Sequence, residues 1–122
     1  MEKCCDFLME TPQTTFDLVI DTDAYNEIDD QFAISYALCA PDRVRLLALC
    51  AAPFKNERST GPADGMEKSY QEILRLLKLA EKNVPVYRGS TAYLPDEKMP
   101  VVSDAAEALV RLAMEHTTEE PL

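Results

Sequence analysis

Three short apolar runs alternate along this chain with three helix-period segments, and that alternation leaves few folds open. Phe16-Asp17-Leu18-Val19-Ile20, the stretch from Val44 to Ala52 (VRLLALCAA) and Val84-Pro85-Val86-Tyr87 read as strands buried on both faces. Between and after them come the stripes Ile28, Phe32, Tyr36, Ala40, then Met66, Tyr70, Ile73, Leu77, Ala80, then Ala105, Leu109, Leu112, Ala113. The first helix also carries Ala33, Ile34, Ala37 and Leu38 on its flanks, so it is expected to be buried nearly all round. Strand followed by helix, three times over, predicts an α/β fold: a Rossmann-like parallel sheet with right-handed crossovers and flanking helices. With only three β-α units the sheet is expected to be incomplete. Glu119-Glu120-Pro121-Leu122 stand where a fourth strand would follow, so the chain reads as cut short. An uncovered apolar edge favours self-association, and a homo-oligomer is one expected outcome.

Boundaries come from local chemistry. Pro41-Asp42 stop the first helix. Asp64, with Glu67 three residues on, is expected to form a capping box for the second helix, which runs to Lys82. Ser103 caps the third helix, which ends near His116, the chain's single histidine, read as a surface or C-cap residue. Two loops separate these elements, 53–65 and 90–102, and loops of such length are often functional. The polar segment 1–15 reads as a flexible leader, with residues 16–122 as one α/β domain.

Charge removes one class of partner. The 122 residues hold 12 Lys and Arg against 22 Asp and Glu, a formal charge of −10, opposite to what a nucleic-acid surface needs. No apolar run is long enough for a signal peptide or a membrane span. Cys4, Cys5, Cys39 and Cys50 have neither CxxC spacing nor the distribution of a disulfide framework, so they read as free thiols in a reducing cytoplasm.

Chemistry concentrates behind the first strand. Asp21, Asp23, Glu27, Asp29 and Asp30 place five carboxylates within ten residues, with no Lys or Arg among them. In parallel α/β sheets, ligands bind at the carboxyl ends of the strands. One acid suffices to cap a helix; five call for a cation, and an all-oxygen set suits calcium or magnesium rather than zinc. An EF-hand beginning at Asp21 fails, because Asn26 stands where glycine must turn and Phe32 where the bidentate Glu must bind. Asp21-Thr22-Asp23 also resembles the DxD of haloacid dehalogenase phosphatases, a reading that leaves Asp29 and Asp30 unused.

The run Val19-Ile20-Asp21-Thr22-Asp23 with Asp29-Asp30 opening an apolar helix resembles the inosine-uridine nucleoside hydrolase family, whose opening signature is a strand followed by DxDxGxDD. Leu46-Leu47-Ala48-Leu49 resembles that family's second strand, and Val84-Pro85-Val86-Tyr87-Arg88-Gly89 its third. The resemblance covers residues 16–122 and implies the amino-terminal part of a calcium-dependent enzyme that cleaves the N-glycosidic bond of ribonucleosides. It implies that Asp23 is both metal ligand and general base, that Asp30 binds the same Ca2+, that Asp29 holds a ribose hydroxyl and that Asp21 supports the site. Two departures follow from the residues themselves. The spacer Ala24-Tyr25-Asn26-Glu27-Ile28 is two residues longer than the family's and lacks its glycine, which brings Asn26 and Glu27 within reach of the site. After the second strand stands Ala52-Pro53-Phe54-Lys55-Asn56, where the family has a ribose-binding asparagine; Asn56 is the candidate replacement, out of register. The family's remaining ligands and its leaving-group acid fall in later parts of the chain than this sequence reaches. Phe54 is a candidate for stacking a base, Tyr70 reads as core, and Arg88 as a surface arginine. The competing expectation is a non-catalytic metal-binding or interaction module.

Overall fold

The computed structural model describes residues 14–122. The leader reading for residues 1–13, with Cys4 and Cys5, lies outside the described residues. Strands β1 (Phe16–Thr22), β2 (Val44–Ala51) and β3 (Val86–Arg88) alternate with helices α1 (Ile28–Cys39), α2 (Pro62–Leu79) and α3 (Asp104–Met114). The sheet is wholly parallel with strand order β1-β2-β3, the incomplete Rossmann-like α/β arrangement expected from the alternation. β1 is therefore an edge strand. Its register against β2 slips between Leu18 and Val19, where β2 contributes one extra residue.

One face of the sheet carries α1 and α2, the other α3. The core is a single cluster in which Ile34 and Leu38 of α1 meet Leu49 and Ala51 of β2 and Met66, Ile73 and Leu77 of α2. Ser103 caps α3 as expected, its Oγ accepting from the Ala106 N–H at 3.2 Å.

Several expectations are corrected. The stripe Ile28, Phe32, Tyr36 does not face the core: these side chains are 66%, 67% and 78% exposed, and α1 buries Ile34, Ala37 and Leu38 instead. Asp64 does not cap α2. The helix starts earlier, at Pro62, and Asp64 sits in its first turn, accepting from the Thr60 N–H at 2.9 Å and pairing with Lys68 at 2.8 Å. Glu67, free of any capping role, takes a two-point bond from Arg88, whose guanidinium also stacks 3.7 Å over the Tyr70 ring. Phe54 is buried and unavailable to a base. Leu109, expected inward, lies at the rim of α3, which buries Ala105 and Ala108.

His116 ties the far end of α3 to the start of β1. Its Nε2 lies 2.8 Å from Asp17 Oδ2 and its Nδ1 2.6 Å from the Leu112 carbonyl, so both ring nitrogens face acceptors and the imidazolium fits best. Arg45 closes the group with two 2.6 Å bonds to Asp17. These partners, Arg45 before His116, hold Asp17 at about 2, while Asp17 and then the Leu112 carbonyl raise His116 above its ordinary value. The stabilisation from His116 is therefore complete below its unfolded value of 6.5 and fades as pH rises through the raised folded value. That from Asp17 is present above 3.8 and fades as pH falls toward about 2. Thermal melts across pH 4 to 9 should show wild type losing stability on the alkaline side relative to His116→Gln, with the difference narrowing at high pH; parallel curves would refute the tie.

Candidate functional site

β1 ends in Asp21-Thr22, and α1 begins at Ile28, so residues 23–27 form the turn at the carboxyl edge of the sheet. Asp23 stands at the head of that turn. Its Oδ2 accepts from Asn26 Nδ2 at 2.9 Å, and its carbonyl accepts from the Asn26 N–H at 2.6 Å. Asn26 in turn accepts at Oδ1 from Asn56 Nδ2 at 2.5 Å, across 30 residues of sequence. Arg58 locks the pair, donating from Nη1 to the Asn26 carbonyl at 2.5 Å and from its backbone N–H to Asn56 Oδ1 at 2.9 Å. The turn 23–27 is thus bridged to the loop after β2, and the structure joins Asp23, Asn26 and Asn56 into one hydrogen-bonded chain. Arg58 was not foreshadowed by any sequence signal.

Asp30 is held separately: Thr22, buried at the end of β1, donates its hydroxyl to Asp30 Oδ1 at 2.6 Å. Thr22 is a second residue that sequence reasoning passed over, although its place between Asp21 and Asp23 on an alternating strand put it on the α1 side. Glu27 occupies the N-cap position of α1 without a side-chain cap bond, and Asp29 lies exposed in the first turn.

Asp21 belongs to the other face. It pairs in register with Cys50, and the two line a cavity of about 250 Å³ beside Pro53, Ser90, Ser103 and Leu109 under the amino end of α3. The carboxyl group, open to solvent on one side, is raised by the apolar walls on the other and then by the charge of Asp23. Burial, then the charge of Asp21, pushes the Cys50 thiol up to about 11, which leaves it protonated and unreactive at neutral pH.

The carboxylates are therefore dispersed. Among the described residues, no three Asp, Glu, His or Cys side chains group closely enough to hold one metal ion. Asp23 and Asp30 provide oxygens, which suits a hard cation, yet calcium takes about six to eight oxygen ligands. Two carboxylates fit only a weakly held, largely hydrated ion.

No protein-family model matches the chain, and neither the curated proteins nor the solved structures give a significant match. Among the described residues no helix is long and apolar enough to cross a membrane.

Proposed function

We propose that this chain carries the sugar-facing part of a nucleoside hydrolase site, acting with Ca2+ on the N-glycosidic bond of a ribonucleoside in a reducing cytoplasm. The supporting observation is the Asp23–Asn26–Asn56 chain at the carboxyl edge of a parallel sheet, beside Asp30 held by Thr22. In this reading Asn26 fixes one oxygen of Asp23 and leaves the other to take a proton from attacking water. Asn56 orients Asn26, and exposed Asp29 accepts from a ribose hydroxyl. Asp23 and Asp30 would hold a calcium ion, which would supply acidity to water and affinity for sugar diols. As the C–N bond breaks and its electron pair leaves with the base, the ribose develops oxocarbenium character that the neighbouring carboxylates stabilise; water bonds to the anomeric carbon, Asp23 takes its proton, and the departing base is protonated from solvent. Asp21 and Glu27 flank this centre without entering it.

Calorimetry with calcium, followed by assay of free base released from inosine and uridine, tests the proposal. Calcium is expected to bind with a Kd of about 10⁻³ M or weaker, as for sites with few protein ligands. Binding is lost in Asp23→Ala, and any turnover falls at least ~100-fold in Asp23→Asn, the smaller end of what a general base contributes. Turnover that survives Asp23→Asn refutes the assignment. The second reading is a non-catalytic metal-binding or interaction module, for which calcium binds without turnover. Magnesium-dependent phosphate release abolished by Asp21→Asn would instead point to the DxD phosphatase chemistry.

A further inference from the structure

α3 lies over the sheet face on which Asp21, Cys50 and Tyr87 form one row across three strands. Its inner side is small: Ala105 and Ala108 are the side chains it buries, while Leu109, Val110 and Met114 are exposed. Residues 91–100, which lead into it from β3, are all exposed, so the helix can shift without disturbing the strands. Segments with few buried apolar contacts open locally, ahead of the whole fold. Among the described residues, two side-chain bonds tie α3 and the turn that follows it to the sheet. Arg111 Nη2 donates to the Tyr87 hydroxyl at 3.1 Å, and His116 Nε2 meets Asp17 Oδ2 at 2.8 Å.

The second tie depends on a proton. His116 Nδ1 lies 2.6 Å from the Leu112 carbonyl oxygen, which the helix holds by the Glu115 N–H, and Asp17 is held by the fork of Arg45. Neither oxygen can donate, so only the imidazolium, with a proton on each nitrogen, satisfies both. A neutral ring turns one lone pair on an oxygen. Relief comes at the Asp17 side, because the Leu112 carbonyl is on the same helical turn and moves with the ring, whereas Asp17 belongs to another element.

We propose that His116 is a pH-operated latch: as the imidazolium it holds α3 down on the sheet, and on losing its proton it lets the helix lift from Asp21, Cys50 and Tyr87. What opens is the cavity of about 250 Å³ under the amino end of α3, with the Cys50 thiol in its wall. The latch is independent of the nucleoside reading. Asp17 of β1, Glu115 beside the ring and the carboxyl end of the helix favour the cation. Arg45 of β2 opposes it, but is itself paired with Asp17 and faces Glu120. The balance, led by the Asp17 bond, raises His116 above its ordinary value, so docking is complete below 6.5 and is lost as pH climbs through the raised value.

Thiol labelling of the whole chain carrying Cys4→Ser, Cys5→Ser and Cys39→Ser reads the opening, since Cys50 is buried on the α3 face. The ratio of variant to parent rates at each pH cancels the thiol's own ionisation. His116→Gln is expected to label at least ~10-fold faster than the parent at pH 6, the equivalent of one pKa unit, and to converge with it by pH 9. His116→Lys, which keeps a cation near Asp17, should stay slow at pH 9. Hydrogen exchange gives a reading without the thiol: protection of amides 105–113, taken relative to those of α2, should fall at least ~10-fold between pH 6 and pH 9 and stay level in His116→Gln. A labelling ratio that is the same at both pH values overturns the proposal. So does protection of α3 that tracks α2 throughout.

Discussion

Gly65→Ala is expected to lower the melting temperature by about 10 °C, although alanine is the better helix former. Gly65 lies in the first turn of α2, where the exchange would by propensity alone stabilise by about 1 kcal/mol. A Cβ there would sit 2.1 Å from the Phe54 carbonyl oxygen and 2.9 Å from its carbon, distances that only a backbone shift can relieve. Overpacking costs about 1–3 kcal/mol, and a 2.1 Å approach to backbone puts this case at the upper end, so the clash wins by about 2 kcal/mol. For a domain near this size about 1 kcal/mol corresponds to roughly 4–8 °C. The shift has a local consequence too. The Phe54 carbonyl accepts from Ser59 Oγ at 3.0 Å, and Ser59 Oγ accepts from the Asn56 N–H at 3.3 Å, so displacing Phe54 pulls on the loop that carries Asn56. Differential scanning calorimetry of the variant decides the sign: a higher melting temperature means the close approach of α2 to Phe54 is not present in solution.

How far the sequence foretold this depends on the range of the interaction. The strands were legible because each holds a compact apolar run, although β3 starts at Val86 and not Val84; β1 extends past Ile20 only because Asp21 and Thr22 continue the pairing with Cys50 and Ala51. The cap at Ser103 was legible for the same reason, being a bond between residues three apart. α1 was misread because it has two apolar faces. Periodicity finds both and cannot say which one a three-stranded sheet has room to cover; here β2 and α2 take the Ile34, Ala37, Leu38 face. Asp64 was misread because Pro62 opens α2 earlier, the proline lacking the N–H that a first-turn position leaves unused.

The candidate site divides along the same line. That acidic residues gather at the end of β1 was plain in the sequence, since they are neighbours there. Which of them share a partner was not, because the three part company: Asp21 lines the cavity under α3, Asp23 bonds to Asn26, and Asp30 to Thr22. Asn56 looked out of register when counted along the chain. It reaches Asn26 because the fold brings the loop after β2 against the turn after β1, a contact across 30 residues. His116 was read as capping α3, which its bond to Leu112 supports, but its second nitrogen finds Asp17 across 99 residues, a separation beyond any local pattern.

Ile73→Ala is expected to cost about 3 kcal/mol, within the range of about 2–5 kcal/mol for truncating a buried isoleucine. Ile73 is wholly buried, in the cluster that α1, α2 and β2 share. With total stabilities of about 5–15 kcal/mol for small domains, that loss removes a large part of what holds the fold. Ile28→Ala is the paired control: the same side chain, but 66% exposed, so its loss should stay within about 0.5 kcal/mol in the single chain. The comparison also reaches the site. Ala24, the residue after Asp23, is wholly buried in the same cluster, and the Tyr25 N–H donates to buried Ser69 of α2 at 3.4 Å, one turn from Ile73. The turn that carries Asp23 and Asn26 therefore rests on the packing of α2. Hydrogen exchange at Asn26 should accelerate in Ile73→Ala and stay as in wild type in Ile28→Ala. Equal exchange in the two variants would mean that the Asp23 turn is fixed by its own hydrogen bonds and not by the core beneath it.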